Sequence, residues 1–322
     1  MVKPLAIDEI RAARERLGSF VVTTPIHHLQ PVEIEHQLGS ATEIHLKLEL
    51  FQRTGTFKAR AALLNVLALD AEERARGIAA VSAGNHAIAT ACAARLAGTA
   101  AKVVMTRGAN ALRVDLCRRE GADIVFADTM HEAFEMVDHI VASEGRRLIH
   151  PFEGRNTAIG TATVGLELCE QVPGLEMVIV PVGGGGLAAG VASAVRLLAP
   201  ACEVFGVEPQ GADTLSRSLA AGRPERIERI ATIADSLGAP YALPVSFELC
   251  RRNLAGVVRV SDEQIIDAMR FLLRTAKLAV EPAAAAATAA LLGPLRERAR
   301  GRRLGLIVCG SNIDEATFAR LI

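Results

Sequence analysis

The sequence predicts an α/β protein of two lobes, each an open, mostly parallel sheet with helices on both faces. Three observations lead there. From residue 43 onward, short β-branched runs alternate with helical patterns, the sign of repeated strand–helix–strand units. The run "MVIVPV" (177–182) is nearly continuous in apolar residues, as in a strand covered on both faces. The strand segments are also more numerous than one open sheet comfortably holds.

In chain order, the strand segments are 43–50 (EIHLKLEL), 78–83 (IAAVSA), 102–106 (KVVMT), 123–128 (DIVFAD), 147–151 (RLIHP), 177–182, 203–209 (EVFGVEP), 256–260 (GVVRV) and 304–310 (LGLIVCG). Helical patterns such as "NHAIATACAARLAG" and "HEAFEMVDHIVASEG" lie between most of them. The segments from 78 to 151 define a small lobe over 75–149, and the large lobe comprises 1–74 plus 150–322. There is no internal repeat, no polar linker and no low-complexity tract beyond the alanine-rich helix after Pro282.

Composition narrows the function. Lys+Arg 36 balances Asp+Glu 36, so no long-range field gathers nucleic acid or an anionic membrane. Ten Phe, one Tyr and no Trp are too few for a base-stacking surface. Cys92, Cys117, Cys169, Cys202, Cys250 and Cys309 are scattered without a C-x-x-C pair, which fits reduced thiols in a cytoplasmic protein. The N-terminal "MVKPLAIDEIRAARERLG" reads as an amphipathic helix, not a signal peptide. Glu281, Pro282 and Pro294 interrupt the greasiest stretch, so no membrane span is expected. The expected partner is a small molecule.

Two loops suit anions. After "MVIVPV" come Gly183, Gly184, Gly185 and Gly186, then a helix that begins near Leu187. Consecutive glycines let backbone N–H groups turn inward, and the helix adds the positive end of its dipole, so the loop suits a phosphate. Gly183, Gly185 and Ala188 also fit G-x-G-x-x-A, with Glu208 closing the next strand, so a nicotinamide oxidoreductase stays open. The second loop, Ser82-Ala83-Gly84-Asn85-His86, precedes another helix and suits a carboxylate; it would equally serve as a helix cap.

Lys58 in "TGTFKAR" lies where an apolar helix starts, beside the stripe Phe57, Ala61, Leu64 and Ala68. A cation near a helix N-terminus is disfavoured, and burial lowers its pKa toward that of a nucleophilic amine suited to a carbonyl. A snorkelling surface lysine fits the same pattern. Cys309 ends a buried strand, either as a core thiol or as a neutral hydrogen-bond partner.

Taken in order, "KLELFQRTGTFKARAA", "VSAGNHA", "PVGGGGLAAG", "VEPQGAD" and "VCGSNID" resemble the pyridoxal-phosphate-dependent serine/threonine dehydratases of the tryptophan-synthase-β fold, a group that includes serine racemases. The resemblance covers about residues 20 to 315 and is specific for cofactor and fold, much less so for substrate. It implies pyridoxal 5'-phosphate held by Lys58 as a Schiff base, with Phe57 flanking the ring and Asn85 at its 3-oxygen. Gly183 to Gly186 and Leu187 would hold the phosphate, and Cys309 would face the ring nitrogen. Ser82, Ala83, Gly84 and His86 would form the substrate-carboxylate loop.

The implied reaction is loss of the β-hydroxyl from a 3-hydroxy amino acid, after Lys58 removes the α-proton, giving a 2-oxo acid and ammonia. A neutral thiol at the ring nitrogen would favour elimination over transamination. A β-replacement enzyme of the cysteine-synthase type would share fold and lysine. Ala83 stands where serine racemases carry a second serine, so dehydration should dominate racemisation. In the family's divalent-metal loop Glu208 and Ala212 are kept, but Thr214 replaces the second acid, so magnesium or calcium would lose an oxygen ligand. Ala61, Thr161 and Ala162 depart from the usual pattern at positions expected close to the pocket and suggest a bulkier substrate than serine or threonine, such as phenylserine or an ectoine-pathway intermediate. The chain stops soon after "CGSNID", so no regulatory domain and no isoleucine feedback are expected. The resemblance also implies a homodimer or homotetramer.

Overall fold

The computed structural model describes residues 2–29 and 32–322; Met1, Gln30 and Pro31, which the sequence assigns to the large lobe, lie outside them. Among the described residues ten strands form two sheets: β1 (Ile26–Leu29), β2 (Glu43–Leu48), β3 (Ile78–Val81), β4 (Ala101–Thr106), β5 (Asp123–Ala127), β6 (Arg147–Leu148), β7 (Met177–Pro181), β8 (Glu203–Pro209), β9 (Gly256–Val260) and β10 (Arg303–Val308). The six-stranded sheet runs β1-β2-β10-β7-β8-β9 and the four-stranded sheet β5-β4-β3-β6. Every pairing is parallel except β1 with β2. The architecture is thus a two-lobed α/β fold with mostly parallel sheets. No helix among the described residues is long and apolar enough to cross a membrane.

Strand ends differ from the sequence expectation where chemistry begins. The first expected strand stops at Leu48, because Glu49–Phe51 turns into a short 3-10 helix that buries the Glu49 carboxylate. The second stops at Val81, where Ser82 to Gly84 turn into the Asn85–Ala97 helix. Only Arg147 and Leu148 of "RLIHP" pair, leaving His150 and Pro151 free to shape a loop. The four-residue β1, "IHHL", carries too little apolar alternation to be read as a strand.

In a parallel sheet all carboxyl ends face one way, and the loops leaving them form a common rim. The segments leaving β2, β3, β6, β7 and β10 carry Lys58, Ser82–His86, His150–Glu153, Gly183–Gly186 and Cys309 respectively. This shared rim is why motifs scattered along the chain meet.

Beneath the rim, the Arg155–Gln171 and Gly186–Leu198 helices pack closely. A Cβ on Gly190 would lie 2.1 Å from Thr161 Oγ1 and 2.5 Å from the Ala158 carbonyl oxygen, so only glycine permits this approach. The Thr161 hydroxyl donates to the Gly186 carbonyl at 2.8 Å, tying one helix to the start of the other. This corrects the expected place of Ala61, Thr161 and Ala162 beside the pocket, not the bulkier substrate they suggested. They are buried in the packing of the Lys58–Leu67, Arg155–Gln171 and Gly186–Leu198 helices, and none of them lines the site cavities. The alanine-rich Pro282–Leu292 helix is buried almost throughout and packs on β7 and β10, its small side chains allowing contact on all faces.

A buried ionic cluster anchors the Lys58 helix. Lys47, Glu49 and Arg60 are fully buried and Glu167 nearly so. Arg60 donates to both Glu49 oxygens and both Glu167 oxygens, each at 2.8 Å. Lys47 donates to Glu167 at 2.7 Å and to the Thr24 carbonyl at 2.8 Å, and Thr24 donates to Glu49 at 2.6 Å. Arg14 adds a further contact to Glu167 at 3.0 Å.

Candidate active site

A cavity of about 490 Å³ opens between the lobes and continues into a narrower cleft of about 40 Å³. Lys58, Asn85, Phe152, Gly184 and Ser236 line both. Phe57, Gly183, Gly185, Gly186, Leu187 and Cys309 line the cleft, whereas Ser82, Ala83, Gly84 and His86 line the cavity. The structure therefore gathers every residue expected around the ring, the phosphate and the carboxylate.

Lys58 begins its helix, and its backbone N–H donates to Thr56 Oγ1 at 3.0 Å. Its side chain keeps an opening to the cleft, yet the ammonium is largely desolvated. Burial pushes the pKa down to about 8, with nearby Glu281 offsetting only part of the effect. Nζ donates to the Pro151 carbonyl at 2.6 Å and lies 5.1 Å from the Phe57 ring centroid.

The glycine loop forms a cradle that side chains would fill. A Cβ on Gly184 would sit 2.1 Å from the Phe152 ring, and one on Gly186 would sit 2.6 Å from the Phe152 carbonyl oxygen. Gly185 has φ +87°, a conformation only glycine adopts without strain. Ala189 N–H bonds the Gly185 carbonyl at 2.8 Å, the first intrahelical bond of the Gly186–Leu198 helix, so the N–H groups before it have no intrahelical partner beside the cleft their residues line. That is a phosphate cradle in form and charge.

Asn85 opens its helix and is fixed by residues far away in sequence. Its Nδ2 donates to Glu281 at 2.8 and 3.0 Å, and its Oδ1 accepts from Asn312 at 2.8 Å. Glu281 is buried, and burial raises its pKa despite Arg113 nearby. Cys309 is also buried, its thiol pushed well above the ordinary range by desolvation and then by Glu281, so it stands neutral. His86 donates from Nε2 to the Ile149 carbonyl at 2.8 Å, an assignment made from the acceptor, and burial pushes it down to about 3. A neutral, anchored imidazole is a structural member of the loop.

Several site residues escaped the sequence reading. His150 Nδ1 accepts from Glu153 N–H at 3.0 Å, and Glu153 in turn caps the Pro244–Asn253 helix by accepting from Val245 and Ser246 N–H at 2.6 and 3.0 Å. Segment 150–153 is thereby braced internally and anchored through Glu153, while Pro151 presents its carbonyl to Lys58. Arg113 pairs with Asp235 at the cavity wall. Glu281 had a visible signal, an acid in an otherwise apolar stretch; the others had none.

Glu208 and Ala212 line neither cavity. Glu208 is fully buried and accepts from Leu215 N–H at 2.6 Å, Ser216 N–H at 2.8 Å and Ser216 Oγ at 2.6 Å. Burial outweighs these bonds and pushes it up to about 7. The Thr214 hydroxyl donates to the Ala239 carbonyl at 2.6 Å. A carboxylate committed to capping a helix, beside a hydroxyl already spent, does not fit a hard divalent cation. The same commitment removes Glu208 as the ribose-binding acid of a dinucleotide site.

Comparison with known proteins agrees with this geometry. A family profile described as "Pyridoxal-phosphate dependent enzyme" matches residues 19–310. The chain is 50% identical to a phenylserine dehydratase of Ralstonia pickettii, covering 98% of this chain and 95% of that one. It is 36% identical to an L-threonine ammonia-lyase of Thermotoga maritima, covering 99% and 78%. The maize serine racemase structure superposes with a TM-score of 0.93 at 35% identity, covering 99% and 97%. A profile match across nearly the whole chain, together with relatives of this identity, means that the protein belongs to the pyridoxal-phosphate dependent enzyme family.

Proposed function

We propose that the protein is a pyridoxal-phosphate-dependent dehydratase of 3-hydroxy amino acids with an aromatic 3-substituent, phenylserine being the representative substrate. One observation carries the aromatic assignment. In a chain with ten Phe, one Tyr and no Trp, Phe134, Phe152 and the sole tyrosine, Tyr241, converge on one cavity. The Tyr241 ring centroid lies 6.2 Å from that of Phe134 and 6.0 Å from that of Phe152, both tilted, an arrangement suited to a further ring. Val81, Ile230 and Pro240 extend the apolar wall. The 50% identity to a phenylserine dehydratase supports the same reading.

The lining of the cleft fits the cofactor: Gly183 to Gly186 and Leu187 would hold its phosphate, Phe57 would flank the ring, Asn85 would bond the 3-oxygen, Lys58 would hold the aldehyde carbon and Cys309 would face the ring nitrogen. When bound, the cofactor draws electron density from the substrate's Cα. The chain's residues do the rest. The free amine of Lys58 removes the Cα proton, aided by the desolvation that weakens its hold on a proton. The Ser82 N–H is bonded to the Val104 carbonyl and the Gly84 N–H to Ser82 Oγ, so the Ala83 and Asn85 N–H groups at the helix start would hold the carboxylate, and the neutral Cys309 would supply no proton to the ring nitrogen. The aromatic wall seats the aryl group and excludes water, and the hydroxyl on Cβ departs as water, taking up the proton that Lys58 removed from Cα. Overall the amino acid loses water, and hydrolysis then releases ammonia and a 2-oxo acid. Ala83 offers no proton to the opposite face, which supports dehydration over racemisation. Six free thiols support a reducing, cytoplasmic setting.

The assignment is tested by kcat/KM for phenylserine and threonine, measured as 2-oxo acid release. Phe134→Ala and Tyr241→Ala are each expected to lower the phenylserine value about 10- to 100-fold, the worth of one buried aromatic contact. The threonine value should move much less. Equal losses on both substrates, with wild type preferring threonine, would sink the aromatic assignment.

The cradle is tested separately by cofactor affinity. Gly186→Ala meets backbone and must displace segment 150–153, including the carbonyl that holds Lys58. We expect pyridoxal phosphate binding, followed by absorbance, to weaken about 10- to 100-fold, the cost of overpacking. The atoms nearest a Cβ at Gly184 are all in the Phe152 ring, so adding Phe152→Ala to Gly184→Ala should restore most of its loss. A rescue that failed would place the cofactor's phosphate elsewhere.

A further inference from the structure

We propose that His28, Glu43 and His45 form a binding site for a late first-row divalent cation, with zinc the representative ion, on the β1–β2 ribbon. The site lies at the opposite end of β2 from the active site, and nothing in the dehydratase chemistry uses it.

Register brings the three together. β1 and β2 are antiparallel with His28 opposite His45. The Leu48 N–H donates to the Pro25 carbonyl at 3.1 Å, marking residues 25 and 48 as a hydrogen-bonded pair. Pairs alternate along an antiparallel ribbon, so the 28/45 pair, three residues on, is of the close, non-hydrogen-bonded kind. Its side chains lie side by side on one face, and Glu43, two residues before His45, shares that face. One ligand atom from each residue lies within 4.8 Å of the others.

The donor set is chemically apt and incompletely used. Two imidazoles and a carboxylate are a zinc-type ligand set that leaves a fourth position for water. His45 Nε2 is buried without a hydrogen-bond partner, a costly state that an ion would relieve. It stands 3.6 Å from Glu43 Oε2. The two imidazole rings stack with centroids 4.7 Å apart and 12° between planes. His28 is exposed and free to tilt a nitrogen toward an ion held between them. Glu43 accepts from Arg303 at 2.8 and 3.1 Å, one bond to each oxygen, so each oxygen keeps a second lone pair for a metal. An ion here would staple the short edge strand β1 to the sheet.

The test uses the tag-free holoenzyme, freed of metal by chelation, in equilibrium dialysis against zinc chloride with bound metal counted by mass spectrometry. Wild type is expected to bind one equivalent at micromolar zinc and to melt at a higher temperature with zinc than without. His28→Gln and Glu43→Gln should weaken that binding on the order of 10- to 100-fold, at least what losing an outer partner costs. Both residues are solvent-accessible, so folding is preserved, and His28→Gln should abolish the melting shift while leaving dehydratase activity unchanged. Absence of zinc binding in wild type, or equal binding in wild type and His28→Gln, overturns the proposal. Either result leaves the dehydratase assignment untouched.

Discussion

Replacing Lys58 by alanine is expected to lower kcat/KM by on the order of a thousandfold or more, the loss of a general base that also anchors the cofactor. The variant should bind pyridoxal phosphate without the absorbance band that borohydride fixes on wild type. Arginine should not rescue it, because a guanidinium does not give up its proton at working pH. The pH behaviour is specific. Burial pushes the Lys58 pKa down to about 8, so its amine should react with added pyridoxal phosphate in the apoprotein at a rate rising with pH and half-maximal near 8. The same shift acts on stability. From about 8 to 10.5 the unfolded chain holds a proton at this lysine that the folded chain has lost, so apoprotein stability should rise with pH across that window. A labelling midpoint near that of an ordinary lysine, or an unimpaired alanine variant, would remove Lys58 from the mechanism.

Glu167→Ala should destabilise the protein by about 3–5 kcal/mol, because it strands buried cations. Lys47 and Arg60, both fully buried, would keep Glu49 as the one carboxylate of the cluster. Arg60 lies two residues beyond Lys58 on the same helix, so loosening this anchor also loosens Lys58. Urea denaturation of wild type and variant, compared by midpoint at constant slope, measures the effect. Exchanging Lys47, Glu49, Arg60 and Glu167 together for apolar residues of similar volume should recover most of the loss, since the penalty comes from unpaired charge. A change below about 1 kcal/mol for Glu167→Ala would mean that the cluster is wetter than its burial indicates.

The wall of Phe134, Phe152 and Tyr241 also explains why one fold serves different amino acids. The residues that would hold cofactor and carboxylate leave the strand ends directly, whereas the wall comes from a small-lobe helix (Phe134) and two large-lobe loops (Phe152, Tyr241). Loops and helix faces change without disturbing the rim, so the substrate's side chain is the part of specificity freest to vary.

What the sequence by itself determined is local. Strand–helix alternation dictated the parallel α/β class. The four glycines after "MVIVPV", Lys58 at a helix start and Cys309 closing a strand were visible because each lies within a few residues of the element that presents it. Glu208 and Thr214 were also in view, but not that Ser216 and the Ala239 carbonyl had claimed them. Tertiary structure alone decided that Asn85 is held by Glu281, 196 residues away, and that Phe134, Phe152 and Tyr241 face one another. It likewise moved Thr161 and Ala162 from the pocket into helix packing. The reason is physical: a parallel sheet delivers its carboxyl ends to one rim in an order set by strand pairing, β2 beside β10 and β10 beside β7, which the order of residues along the chain does not contain.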